Sequence, residues 1–135
     1  MRNLSNKEFD RKRLCFNFIL KNPVAFRDFC GKELYGEDYK VRYYQYAPAF
    51  AKDKVFRAGR TLGKSVDLTM TVIQNVVTTP MVETIVTCFR KTHMRDRMEQ
   101  VIKFFKISKI FSSMLEFRGV SRQPIYEMRF RNKHI

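Results

Sequence analysis

Cysteine is scarce in this chain of 135 residues: Cys15, Cys30 and Cys88 are all there is. They are odd in number, widely spaced and without a CxxC pair. That excludes a zinc motif or a disulfide framework and suits a reducing compartment. Cys15 and Cys88 lie in apolar runs and are expected in the core. Cys30 beside Gly31 reads as a helix-end residue, with a reactive thiol as the less favoured alternative. Histidine is rarer still. His93 and His134 are far apart and poorly partnered by acids or cysteines, so they suggest no metal site. No apolar run reaches the ~18 residues of a membrane span. The first residues, MRNLSNKEFDRKRL, lack the following apolar core of a signal peptide, so an intracellular protein is expected. Internal repeats and low-complexity segments are absent. Acids are also in short supply: 27 Lys and Arg stand against 13 Asp and Glu, a formal net charge of +14. Such a surplus favours a polyanionic partner, whether nucleic acid, nucleotide phosphates or an acidic protein surface.

What the chain does have is apolar bulk. Hydrophobic residues make up 44% and there are 13 Phe, enough for one domain with a single core. Residues 1–21 read as a short helix. Asn22-Pro23 opens a second helix, with Asn as cap and Pro in the first turn, and Gly31 or Gly36 ends it. Tyr43, Tyr44 and Tyr46 surround Gln45 in an aromatic segment read as a loop leading to a short helix. Residues 53–58, centred on Val55 and Phe56, read as a short buried strand. Residues 66–77 are β-branched, but their length argues for a buried helix that Pro80 stops. Residues 83–89 read as the clearest strand. Met94, Met98, Val101, Ile102 and Phe105 then recur at helical spacing, with Thr92 as candidate cap. Residues 108–115 read as another short helix. Residues 124–130 alternate as a strand, turned by Asn132-Lys133 towards a returning stub. This order predicts an α/β fold with a parallel sheet flanked by helices.

The stretch VFRAGRTLGKS, residues 55–65, carries the chemistry. Gly63-Lys64-Ser65 between a strand and a helix places backbone N–H groups and the helix dipole where they bind phosphate. Lys64 adds charge at the β/γ-phosphates and Ser65 offers a hydroxyl to Mg²⁺. GK[ST] alone arises by chance in about one chain in ten to twenty of this length, so its context decides. The competing reading is a glycine that merely ends a strand. Ala58 stands where GxxxxGK[ST] has its first glycine, and Gly59 supplies a flexible position instead. Arg60 either reaches the γ-phosphate in cis, stabilising transition-state charge, or is an ion-paired surface residue.

The loop Ala-Gly-Arg-Thr-Leu-Gly-Lys-Ser, residues 58–65, resembles the deviant Walker A of bacteriophage terminase large subunits, the DNA-packaging motors. The upstream Asn22-Pro23-Val24-Ala25-Phe26-Arg27-Asp28-Phe29 and Tyr44-Gln45 are similar to that family's lead-in. Residues 83–94 and 127–135 are similar to the strand, helix and hairpin that follow, although Lys133 and His134 stand where Gly-Ser is usual. The resemblance covers roughly residues 20–135. It implies an ATP site built from Gln45, Gly59, Arg60, Thr61, Leu62, Gly63, Lys64 and Ser65. Gln45 reads the adenine, Arg60 and Lys64 act in catalysis, and Ser65 holds Mg²⁺. It further implies a partial P-loop NTPase domain truncated before Walker B, with residues 1–40 as a helical lead-in and 41–135 as the front half of the ATPase. ATP and Mg²⁺ are the implied cofactors. The implied partners are double-stranded viral DNA, the small terminase subunit and the portal protein, with no membrane and with a homo-oligomeric ring when full length. The implied place is the host cytoplasm, transiently at the procapsid portal. Residues 110–116, IFSSMLE, are the only apolar run ending in an acid, and they read as a helix rather than Walker B. Hydrolysis by this chain alone is therefore expected to be weak or absent.

Two alternatives stand beside this. One is another helicase-like P-loop ATPase acting on nucleic acid. The other is a basic nucleic-acid-binding protein without nucleotide chemistry, drawing on Arg90, Lys91, Arg95, Arg97, Arg118, Arg122, Arg129, Arg131 and Lys133.

Overall fold

The computed structural model describes residues 6–131, except Phe56, Ala58, Thr61, Cys88, Pro124 and Ile125. The chain begins with α1 (Asn6–Lys21) and α2 (Pro23–Tyr35). The junction is fixed by Asn22, which has extended backbone angles and whose side-chain oxygen accepts from Val24 N (3.0 Å) and Ala25 N (3.2 Å). That satisfies two otherwise orphaned donors, an arrangement worth about 1 kcal/mol. Of the two candidate stops for α2, Gly36 is the one used, at φ 111°. Gly31 stays inside the helix and has a different task. A Cβ there would fall 2.0 Å from Cε1 of Tyr39, so the glycine is what lets the Tyr39 ring lie on the helix surface.

A 3-10 turn at Tyr43–Gln45 leads into the short α3 (Tyr46–Phe50). Helix α4 (Lys64–Thr78) then takes the β-branched run. Helix beats strand here because Met70, Val72, Ile73 and Val76 reach the core on one broad face. The threonines are reconciled with the helix by donating back one turn: Thr69 to Ser65 O, Thr71 to Asp67 O and Thr78 to Gln74 O. Helix α5 (Lys91–Ile107) contributes Val101, Phe104 and Phe105, and its cap position is Arg90 rather than Thr92.

The core lies where α2, α4 and α5 meet, with Phe26, Cys30 and Leu34 supplied by α2. Phe111 is its aromatic hub, with ring centroids 6.0–6.4 Å from those of Phe16, Phe26, Phe29 and Phe104. Ser108, expected to open a helix, instead accepts from Phe111 N at 3.1 Å and donates to Glu33 at 2.7 Å. This turns the chain into a 3-10 segment at Ser112–Met114 and then into β1 (Leu115–Ser121). The IFSSMLE run is therefore turn, 3-10 and strand start, not a helix.

The predicted parallel sheet flanked by helices is not what forms. Among the described residues there is one two-stranded antiparallel sheet, β1 with β2 (Glu127–Phe130). β2 pairs with the strand before it, and its predicted alternation holds, Met128 and Phe130 inward and Glu127 and Arg129 outward. The returning stub at 132–135 lies outside the described residues. Among the described residues, neither predicted parallel strand forms. In the first, Val55 is fully exposed, with Phe56 and Ala58 outside the described residues. In the second, residues 82–87 form no strand and join no ladder among the described residues. The physical reason is that strand propensity needs a neighbouring strand to satisfy its backbone, and the described chain offers neither segment one.

Cys15 is exposed and Cys30 fully buried, which corrects the expectation for Cys15; Cys88 lies outside the described residues. Burial first, and Glu33 second, push the Cys30 thiol well above its ordinary value. A thiol-selective reagent at mildly alkaline pH is expected to label Cys15 at once and Cys30 only on unfolding. Mass mapping of the labelled peptides checks this. No helix among the described residues is long and apolar enough to cross a membrane.

Candidate functional site

The site grows from the start of α4. Gly63 sits at its N-cap with φ 78° and ψ 17°, left-handed angles that favour glycine. It has no side chain to cap with, and Asp67 N is the first donor to close on its carbonyl, at 2.9 Å. The N–H groups of the first turn therefore face outward, with the dipole of a 15-residue helix behind them. Lys64 and Ser65 are exposed at this end, as are Gly59, Arg60 and Leu62 in the loop before it. Thr61, one of the predicted nucleotide-binding residues, lies outside the described residues.

Gln45 is the predicted residue most distant in sequence, and the fold brings it to the loop. It is buried at 6% exposure, its Oε1 accepts from Arg42 N at 3.0 Å, and its Nε2 lies against Gly63. A Cβ on Gly63 would fall 2.8 Å from that nitrogen. Glycine is thus needed twice at position 63, for its backbone angles and for this approach. A cavity of about 560 Å³ opens beside the pair, lined by Asp38, Tyr39, Lys40, Arg42, Gln45, Gly63 and Val66. Arg60, Lys64 and Ser65 do not line it. They stand around the helix start instead, so the predicted set divides into a cavity part and a helix-terminus part.

Sequence reasoning missed what holds these parts in place. Asp67, in the first turn of α4, is buried and ion-paired with Arg27 of α2 and with Lys54 at 3.2 Å. Arg27 also donates from Nε to Gln74 Oε1 (3.1 Å) and from Nη2 to Thr71 Oγ1 (3.0 Å). Lys54 donates further to Pro48 O (2.7 Å) and Thr71 Oγ1 (3.2 Å). Three segments that the core alone would leave free to slide are pinned to one carboxylate. Two cations around one anion also leave the cluster positive, so Asp67 does not spoil an anion site at the helix start. The signal was present: a lone acid in VDLTMTV and a lone arginine in VAFRDFC each require a buried partner. Asp28, in contrast, gave no such signal in the sequence. It accepts from Val41 N at 2.6 Å and so ties the cavity wall to α2.

Tyr39, stacked on Tyr35 at 5.4 Å, has its phenol pushed up to about 12, first by burial and then by Tyr35 and Asp28. The folded chain keeps this proton where the unfolded chain, near 10, releases it. Stability is therefore expected to fall as pH rises through that window. Denaturation midpoints of the chain and of Tyr39→Phe across it check this, and the fall should be smaller in the variant.

The donor set does not fit a Mg²⁺ ion by itself. Ser65 offers one hydroxyl, Asp67 is held by its two cations, and no group of three His, Cys, Asp or Glu is placed to hold a metal among the described residues. The basic residues of the nucleic-acid alternative are partly engaged. Arg122 grips Glu99 at 2.6 Å, which holds that carboxyl below its usual range, Arg129 pairs with Glu127 at 2.9 Å, and Arg95 lies 3.8 Å from Asp96. Lys133 lies outside the described residues. Compared with protein-family models, curated proteins and solved structures, the chain matches none.

Proposed function

We propose that this chain binds ATP through the start of α4 and the neighbouring cavity, as the nucleotide-binding portion of a terminase-type DNA-packaging motor. The observation that carries the reading is the contact of Gln45 with Gly63 across the sequence. Two features with no local reason to meet, a base-reading amide and a phosphate-binding glycine, share one site. In this reading the outward N–H groups of α4 and the Lys64 ammonium hold phosphate oxygens, and Arg60 neutralises charge at the terminal phosphate. Lys40 and Arg42 line the cavity that takes the base and sugar. The reading rests on this loop and cavity, not on a parallel sheet. Hydrolysis needs acids to hold the metal and orient water, and hydrolysis by this chain alone is expected to be weak or absent. Double-stranded viral DNA, the small terminase subunit and the portal protein are the partners this role carries, in the host cytoplasm at the procapsid.

Titration with a fluorescent ATP analogue tests it. Lys64→Ala is expected to weaken binding about tenfold, or 1.4 kcal/mol. Equal affinity of the two proteins sinks the reading. A salt-dependent DNA affinity indifferent to ATP and to Lys64→Ala would favour the nucleic-acid alternative instead.

A further inference from the structure

Asp67 has one cation more than neutrality requires. Arg27, buried with it, already pairs with the carboxylate through Oδ1. A second, largely buried cation adds desolvation cost with no further charge to balance. That second cation is Lys54, 3.2 Å from Oδ2. Its ammonium has three hydrogens, and the fold supplies three acceptors: Pro48 O at 2.7 Å, Asp67 Oδ2 at 3.2 Å and Thr71 Oγ1 at 3.2 Å. Pro48 belongs to α3 and stands three residues beyond Gln45. Asp67 and Thr71 belong to the first two turns of α4, whose N-cap is Gly63. Thr71 is itself committed, donating to Asp67 O at 2.8 Å and accepting from Arg27 Nη2 at 3.0 Å. One ammonium therefore joins the segment that carries Gln45 to the helix that carries the phosphate-binding glycine.

We propose that Lys54 is a positioning residue for the nucleotide, holding the Gln45 side of the cavity in register with the start of α4. This role rests on the ATP reading above and adds how the two halves of the ligand are bound at once. A ligand that spans two subsites gains from its second contact only when the subsites are held at its own spacing. That spacing is set where Gln45 Nε2 lies against Gly63. The segment on the Gln45 side has little to hold it locally, because α3 has only five residues, too few to be stable through its own helical bonds. Lys54 ties it to α4. All three of its donors are used inside the protein, so Lys54 acts on the ligand through Gln45 and Gly63 rather than by touching a phosphate. Removing it leaves Asp67 paired with Arg27, so the fold is expected to persist while the register is lost.

The test compares whole and divided ligand on the full chain. ATP affinity is measured by calorimetric titration, and adenosine and inorganic tripolyphosphate are each titrated by NMR shift changes. Lys54→Met is expected to bind ATP about tenfold more weakly and both fragments as the unmodified chain does, because only their linkage is lost. A merely structural loosening would weaken the fragments as well. Lys54→Arg keeps the charge and several donors and should recover most of the ATP affinity. If Lys54→Met fails to fold by circular dichroism, Lys54→Gln, which keeps an N–H donor at one bond less reach, is read by the same split. Equal ATP affinity of Lys54→Met and the unmodified chain overturns the proposal. So does a loss of adenosine or tripolyphosphate affinity that matches the loss for ATP. If Lys64→Ala weakens ATP binding and Lys54→Met does not, the nucleotide reading stands and the role of Lys54 falls. If the unmodified chain binds no ATP, both fall.

Discussion

Asp67→Asn is expected to cost about 3–5 kcal/mol of folding stability, the scale of leaving buried charge uncompensated. The substitution changes no volume and keeps one oxygen, so packing is preserved and the electrostatic effect is isolated. What it leaves is Arg27, 3% exposed, and Lys54, 19% exposed in its side chain, facing each other across a neutral amide. Arg27→Met should cost less than Asp67→Asn, because Lys54 still neutralises the carboxylate at 3.2 Å. The order of the two variants is therefore as informative as either value. Chemical denaturation of the three proteins, with midpoints and slopes compared, checks both. An Asp67→Asn loss below about 1 kcal/mol would mean that water reaches the cluster and screens it as at a surface.

Gly63→Val is expected to lower ATP affinity about a hundredfold, or 2.8 kcal/mol, more than Lys64→Ala does. A β-branched residue at φ 78° carries a backbone penalty of roughly 1–2 kcal/mol. Its Cβ also enters the space of the Gln45 amide, 2.8 Å away. The side chain must withdraw, and its bond from Arg42 N at 3.0 Å is lost with it. Pairing the change with Gln45→Ala separates the two causes. If steric displacement of Gln45 contributes, the double variant loses less than the sum of the singles. Strict additivity would show that the backbone angle alone is responsible. Nucleotide titration of the four proteins provides the cycle, and circular dichroism confirms that α4 persists in each.

The sequence determined the elements whose stabilising contacts are local or periodic. Asn22-Pro23 specifies the start of α2 because the cap bonds span only two and three residues. The apolar spacing of α5 and the alternation of β2 each name their buried face without reference to a partner. The sequence also marked Gly63-Lys64-Ser65 and Gln45 separately. What only the tertiary structure decided is pairing across distance. It placed Gln45 against Gly63, gave Asp67 its two cations, and made Phe111 the centre of four aromatic contacts. Among the described residues it also gives no ladder to residues 83–87, part of the run 83–89 that the sequence alone reads as the clearest strand. A strand is a local preference but a non-local structure, and its hydrogen bonds exist only when a second extended segment lies alongside. A helix closes its bonds within itself, so α4 is a helix despite its β-branched composition.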